Sequence, residues 1–184
     1  MSPAQRTTAF TSAWEQLGGT WELHENAVVA RLAFLLFLQE KHIDQITVWS
    51  PAELPLDGLS EALDDAGIEI ISPDRRDIDP DTVVGLTSAH AALAATGSLI
   101  LVPAPGQSWL PALLPIRHLV LLPTSHLHTD LHSWRRAWEQ EGKNDDLARA
   151  LIITGPSFSS DIELHIHRGM FGPRLLHILL IQDD

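Results

Sequence analysis

Between Thr20 and Ile71 short β-branched runs alternate with helical ones, and no other feature constrains the fold as strongly. Thr20 to Leu23 reads as a strand. Asn26 carries the side chain of a helix cap, and the apolar run behind it extends to about Lys41. Ile46-Thr47-Val48-Trp49 is β-branched and aromatic, a second strand. Asp57 is placed to cap a short helix, Gly58 to Ala66, which Gly67 closes, and Ile68 to Ile71 is a third strand. Strands joined by helices must cross over and return in the same direction, so they pair in parallel. The expected fold class is α/β, three layers around a mostly parallel central sheet.

Residues 4 to 17 form a further expected helix ahead of this unit, with Phe10, Trp14 and Leu17 on one face and Gly18-Gly19 at its end. The second half opens on a strand-like run, Thr82 to Thr87, and a small-residue segment, Ser88 to Ala95. Strands follow at Leu99 to Val102 and His118 to Leu122, with an apolar turn, Leu110 to Leu114, between them. Ser125 to about Glu141 reads as one helix with a core stripe of Leu127, Leu131, Trp134 and Trp138. Arg174 to Gln182 is a Leu- and Ile-rich strand expected inside the sheet. No linker or repeat interrupts the 184 residues, so one domain over 1–184 is expected, the helix of residues 1–17 packed on it.

Charge and cysteine content exclude several function classes. A net charge of -12 repels phosphate backbones and anionic lipid, so no nucleic-acid partner is expected. There is no cysteine, hence no thiol nucleophile and no Cys-ligated cluster. Ala27 to Leu38 is the most apolar stretch, too short for a spanning helix of about 20 residues and interrupted by Arg31. Without a basic, apolar leader the chain reads as cytoplasmic.

The chemistry-bearing residues gather in two loops. Leu151-Ile152-Ile153 empties into Thr154-Gly155-Pro156-Ser157, then Ser159, Ser160 and Asp161. Glycine there lets backbone approach a ligand, and hydroxyls with free N–H groups suit an anion; a self-satisfied turn explains the same residues. Thr96-Gly97-Ser98 repeats that chemistry beside the Leu99 strand, and two such loops could face one cleft. Asp161, Glu163, His165 and His167 alternate, so a strand would put all four on one face. Their spacing of about 7 Å per pair limits convergence on a metal, and a solvated face explains them as well. His128 and His132, with His126 near, have the spacing of a helical zinc pair but lack the Glu a zincin needs and an evident third ligand. No metal or cofactor is expected. Nucleophile elbow, P-loop and dinucleotide fingerprint are all missing. Asp161 and Glu163 are the best-placed acid/base carboxylates.

Taken together, ITGPSFSSDIELHIHRGMFGP, GLTSAHAALAATGSLIL and PALLPIRHLVLL resemble, in order, signature blocks of the lactate utilization protein C (LutC) family, the LUD domain. The resemblance covers roughly residues 82 to 182, and its residues here are Thr96, Gly97, Ser98, His118, Thr154, Gly155, Ser157, Asp161, Glu163, Gly169, Gly172 and Pro173. It implies a fold like the NagB/RpiA/CoA-transferase group. It also implies an accessory role in oxidising L-lactate to pyruvate beside iron-sulfur protein subunits. The implied binding residues for a small anionic metabolite or partner are Thr96, Gly97, Ser98, Thr154, Gly155, Ser157, Ser160, Asp161, Glu163, Gly169 and Gly172. Ala95 and Phe171 stand where the family usually has Glu and His, which removes two ionisable groups and leaves open whether the chain is catalytic. The alternatives are an enzyme of the related fold acting on an acyl-CoA or phosphorylated substrate, and a structural adaptor.

Overall fold

The computed structural model describes residues 1–72, 74, 75, 77–140, 142, 148–160, 162 and 165–183. The first half follows the expected alternation. Helix α1 (Pro3–Gln16) is closed at its start by a capping box, Ser2 with Gln5. Strand β1 (Thr20–His24) leads to α2 (Ala27–Glu40), whose cap is Asn26, its side chain accepting from the Val29 N–H at 3.0 Å. Then come β2 (Gln45–Val48), α3 (Leu59–Asp65) and the two-residue β3 (Glu69–Ile70). Asp57 does not cap α3. The cap is Gly58 in the left-handed region, and the Asp57 carbonyl instead accepts from the Arg31 guanidinium, tying α3 to α2.

The main sheet has six strands in the order β1-β12-β7-β4-β2-β3, with β4 (Val84–Ser88), β7 (Arg117–Pro123) and β12 (Leu175–Ile181). Every pairing in it is parallel. The fold is therefore α/β around a parallel central sheet. The apolar tail strand β12 lies between β1 and β7, as a strand without a polar face must.

A second, four-stranded sheet has the order β8-β5-β6-β9: β5 (Ala91–Leu93), β6 (Ser98–Leu101), β8 (Leu127–His128) and β9 (Leu151–Ile153). The small-residue segment 88–95 contains strand β5. One reading fails here. The expected helix from Ser125 begins only at α5 (Leu131–Gln140), because Leu127 and His128 pair with Ala92 and Leu93. Trp134 and Trp138 of its stripe are buried against Ala91, Leu93 and Ile100, while Leu131 is exposed. His128 and His132 therefore never share a helix. The short α4 (Leu110–Leu113) packs on β4, and β10 (Phe158–Ser160) and β11 (Ile166–Arg168) form a separate antiparallel hairpin.

One core joins the parts. Phe10 and Trp14 of α1 and Phe34 of α2 are completely buried with the main-sheet strands and with Ala92, Leu99 and Leu127 of the small sheet. Each such side chain contributes about 1.5–3 kcal/mol of burial. Among the described residues no helix is long and apolar enough to cross a membrane.

Candidate functional site

The two hydroxyl loops do meet. Strands β6 and β9 are antiparallel with Leu99 opposite Ile153, which sets Ser98 beside Thr154 at the end of the ladder. The Ser98 hydroxyl lies 2.9 Å from that of Thr154 and 2.8 Å from that of Thr96. Ser98 is buried; Thr96 and Thr154 are exposed. The three oxygens thus form a short chain of hydrogen bonds that satisfies its buried member without a ligand.

The glycines of these loops serve packing. A side chain at Gly97 would meet the α1 backbone at Ala13 and Trp14 at 3.0 Å, and one at Gly155 would meet Leu17 at 2.9 Å. Their close approach is to the last turn of α1. Further along, the Ser157 N–H donates to the Pro173 carbonyl at 2.9 Å, and the Ser157 carbonyl accepts from Gly169 at 3.0 Å. These bonds close the neck of the β10–β11 hairpin. Gly169 abuts Arg174, Gly172 abuts Ser157, and Ser160 is exposed in β10 opposite Ile166. Asp161 and Glu163 lie outside the described residues, and His165 and His167 are exposed.

His118 is likewise built into the scaffold. Register places Thr47, Gly85 and His118 in one row of the main sheet. The His118 ring is wholly buried, with Nε2 2.8 Å from the Thr87 hydroxyl. Burial pushes its pKa down from 6.5 to about 3, so the ring is neutral. The row needs a glycine at 85 because the Pro111 carbonyl of α4 occupies the place of its side chain.

A concave site opens elsewhere, at the carboxyl ends of the parallel strands. β2 runs out through Trp49 into a 3-10 turn (Pro51–Glu53) and α3, on the α2 side; its neighbour β4 runs out through Ala89 and His90 into the small sheet. Adjacent strands whose connections part in this way leave a crevice, the usual ligand site of open α/β sheets. Three adjoining depressions of about 290, 310 and 490 Å³ meet there, and His90 lines all of them. Trp138 meets the His90 ring edge-on, centroids 4.5 Å apart, and the His126 ring is 6.4 Å from it. His126 Nδ1 donates to the Ala89 carbonyl at 3.2 Å, which fixes the ring's orientation. Ser88, Arg149 and Glu53 add a hydroxyl, a cation and a carboxylate, the last held by the Gln107 amide. Among the described residues no group of three or more His, Cys, Asp or Glu is arranged to hold a metal. The groove sets the His90 and His126 imidazoles, the Arg149 guanidinium, the Ser88 hydroxyl and the Glu53 carboxylate beside the Trp49 and Trp138 indoles, a mixed polar lining that suits a small polar metabolite.

Sequence reasoning passed over His90, Trp49 and Arg149. The available signal was positional: Trp49 and His90 stand one and two residues past the carboxyl ends of parallel strands.

A family model, the LUD domain, matches residues 33–181, more than three quarters of the chain. The chain belongs to the LUD domain family. Its similar proteins include an uncharacterized protein of Neisseria meningitidis serogroup B, 33% identical over 100 residues that make up 54% of this chain and 42% of that protein. Two others are named lactate utilization protein C. The one from Exiguobacterium sp. is 30% identical over 103 residues, 54% of this chain and 44% of that protein. The one from Halalkalibacterium halodurans is 28% identical over 102 residues, with the same coverage. The matched stretch is thus less than half the length of these relatives. A crystal structure of a DUF162 family protein from Deinococcus radiodurans superposes with a TM-score of 0.65 over 100% of this chain and 99% of that one, at 15% identity, a likeness of fold. Within this LUD domain, Ala95 is exposed in the turn from β5 to β6, and Phe171 is 82% exposed near the hairpin neck.

Proposed function

We propose that this LUD domain is an accessory component of an L-lactate utilization system, and that it holds a small anionic metabolite in the groove around His90. The observation that carries the reading is the groove's place at the carboxyl ends of β2 and β4, with His90, His126 and Arg149 at its wall. The names of the lactate utilization relatives supply the metabolic context. In this proposal the Thr96, Ser98 and Thr154 hydroxyls and the loop glycines hold α1 and the hairpin in place, and the ligand is not theirs. Residues 1–184 act as one unit in the cytoplasm, α1 being part of it through Phe10 and Trp14. The chain has no cysteine to ligate a cluster, so electrons from lactate pass through iron-sulfur partner subunits.

The test has two arms. In calorimetric titration of the purified chain with L-lactate and with pyruvate, His90→Ala and His126→Ala are expected to weaken binding at least tenfold, and Thr96→Ala with Ser157→Ala to leave it unchanged. In a strain lacking the gene, growth on L-lactate is expected to fail and to return with the wild-type copy. Normal growth of the deletion strain sinks the metabolic role. Binding that survives both histidine changes sinks the groove.

A further inference from the structure

Helix α5 sets Trp134 and Trp138 one turn apart on its buried face. Both line the depression of about 490 Å³ at His90, together with His126 and His128 from the segment that leads into the helix. Trp134 is only 3% exposed, and its Nε1–H is buried with no acceptor. The Trp138 ring beside it, centroids 5.5 Å apart and tilted by 50°, offers a π face, which is a weak acceptor. Buried donors are bonded as a rule. One left over in a residue that lines a cavity marks a place for an acceptor from outside the chain.

The three depressions at His90 differ in charge. Glu53 lines the other two, but among the described residues no carboxylate lines this one. The acids around α5 and Ser125 are already bonded. Asp130 accepts from the Ser133 N–H at 2.7 Å, Glu139 from Arg135 at 2.7 Å, and Asp183 from the Thr124 hydroxyl at 2.7 Å and the Ser125 N–H at 2.8 Å. Three imidazoles and the indole N–H line the space they leave. In a chain of net charge -12 an acid-free pocket is where an anion meets the least repulsion. We infer that this depression takes the carboxylate of the metabolite, the Trp134 indole N–H donating to one of its oxygens. The inference rests on the reading of the groove as the metabolite site, and it makes Trp134 a specificity-determining residue there. A bond from a buried N–H to a charged oxygen is stronger than one to a neutral oxygen, so the indole favours an acid over its uncharged analogue.

The wild-type chain gives a direct reading, because each of its six tryptophans has its own indole N–H resonance. In proton–nitrogen correlation spectra the Trp134 indole resonance, assigned in the wild type, is expected to move downfield as L-lactate is added. Calorimetric titration with lactamide, the uncharged amide, is expected to show binding at least tenfold weaker than L-lactate. Trp134→Phe keeps an aromatic ring and drops the donor, and it is expected to bind L-lactate at least fivefold more weakly than wild type. Binding of L-lactate that leaves the Trp134 resonance in place overturns the inference, and so does lactamide binding as tight as that of lactate. If His90→Ala still weakens L-lactate in that case, the groove stands as the metabolite site and only the place of the carboxylate is wrong. A wild-type chain that binds neither L-lactate nor pyruvate overturns both readings.

Discussion

The Ser98 hydroxyl, buried at the start of β6, lies 2.9 Å from the Thr154 hydroxyl at the end of β9, and this bond joins two sequence blocks more than fifty residues apart. It makes the hydroxyl loops a strut between two strands of the small sheet. Ser98→Ala is expected to cost about 1 kcal/mol, since Thr96 and Thr154 are exposed and can turn to water. In a chain of this size that is a fall of about 2–4 °C in Tm. Thermal unfolding followed by circular dichroism checks it, and a loss of metabolite binding without a stability change would point back to a ligand site at the hydroxyls.

Gly85 is the most tightly enclosed of the glycines. A methyl group there would come within 1.9 Å of the Pro111 carbonyl oxygen, a backbone atom that cannot swing away. Gly85→Ala is expected to cost at least the 1–3 kcal/mol typical of overpacking. Its urea midpoint should fall well below that of wild type, with α4 displaced from β4.

Gly97 and Gly67 separate packing from backbone preference. Both have positive φ, +65 and +70, but a side chain at Gly97 meets α1 backbone whereas one at Gly67 meets open space. Gly67→Ala is expected to cost about 1–2 kcal/mol, the left-handed penalty alone. Gly97→Ala should cost clearly more. Equal losses in chemical denaturation would mean that the Thr-Gly-Ser loop does not press on α1.

His118 predicts an acid-sensitive fold. Its ring is neutral when buried, with a pKa of about 3 against an ordinary 6.5. Below 6.5 the unfolded chain binds a proton there that the folded chain does not, so stability is fully present above 6.5 and is lost as pH falls towards about 3. The slope from this one group reaches about 1.4 kcal/mol per pH unit. His118→Gln keeps a polar partner for Thr87 and removes the titration. Urea midpoints at pH 7 and pH 5 should differ less in this variant than in wild type, and an identical drop would assign the acid sensitivity to other groups.

Local chemistry made the first half of the fold legible. Asn26 caps α2 because an Asn side chain can reach the free N–H of Val29, and β2 is a strand because β-branched residues fit a pleated ladder. The same reasoning failed at Leu127. Its spacing from Leu131, Trp134 and Trp138 suited a helix, but Ala94 and Ala95 donate to His128 and Thr129 across the small sheet. Bonds to a distant strand outweighed a local periodicity that the sequence could show.

The parallel sheet, the family motifs and the meeting of Thr96, Ser98 and Thr154 were thus all within reach of the sequence, since they rest on periodicity, residue type and order. What the motif glycines pack against was decided only in three dimensions. Glycine reads the same in a sequence whether it admits a ligand or a neighbouring helix, and Gly97 and Gly155 admit α1. The groove at His90 draws on Trp49, Ser88, His126, Trp138 and Arg149, five positions with no common spacing. They come together because parallel strands end side by side, a relation between segments that no local pattern encodes.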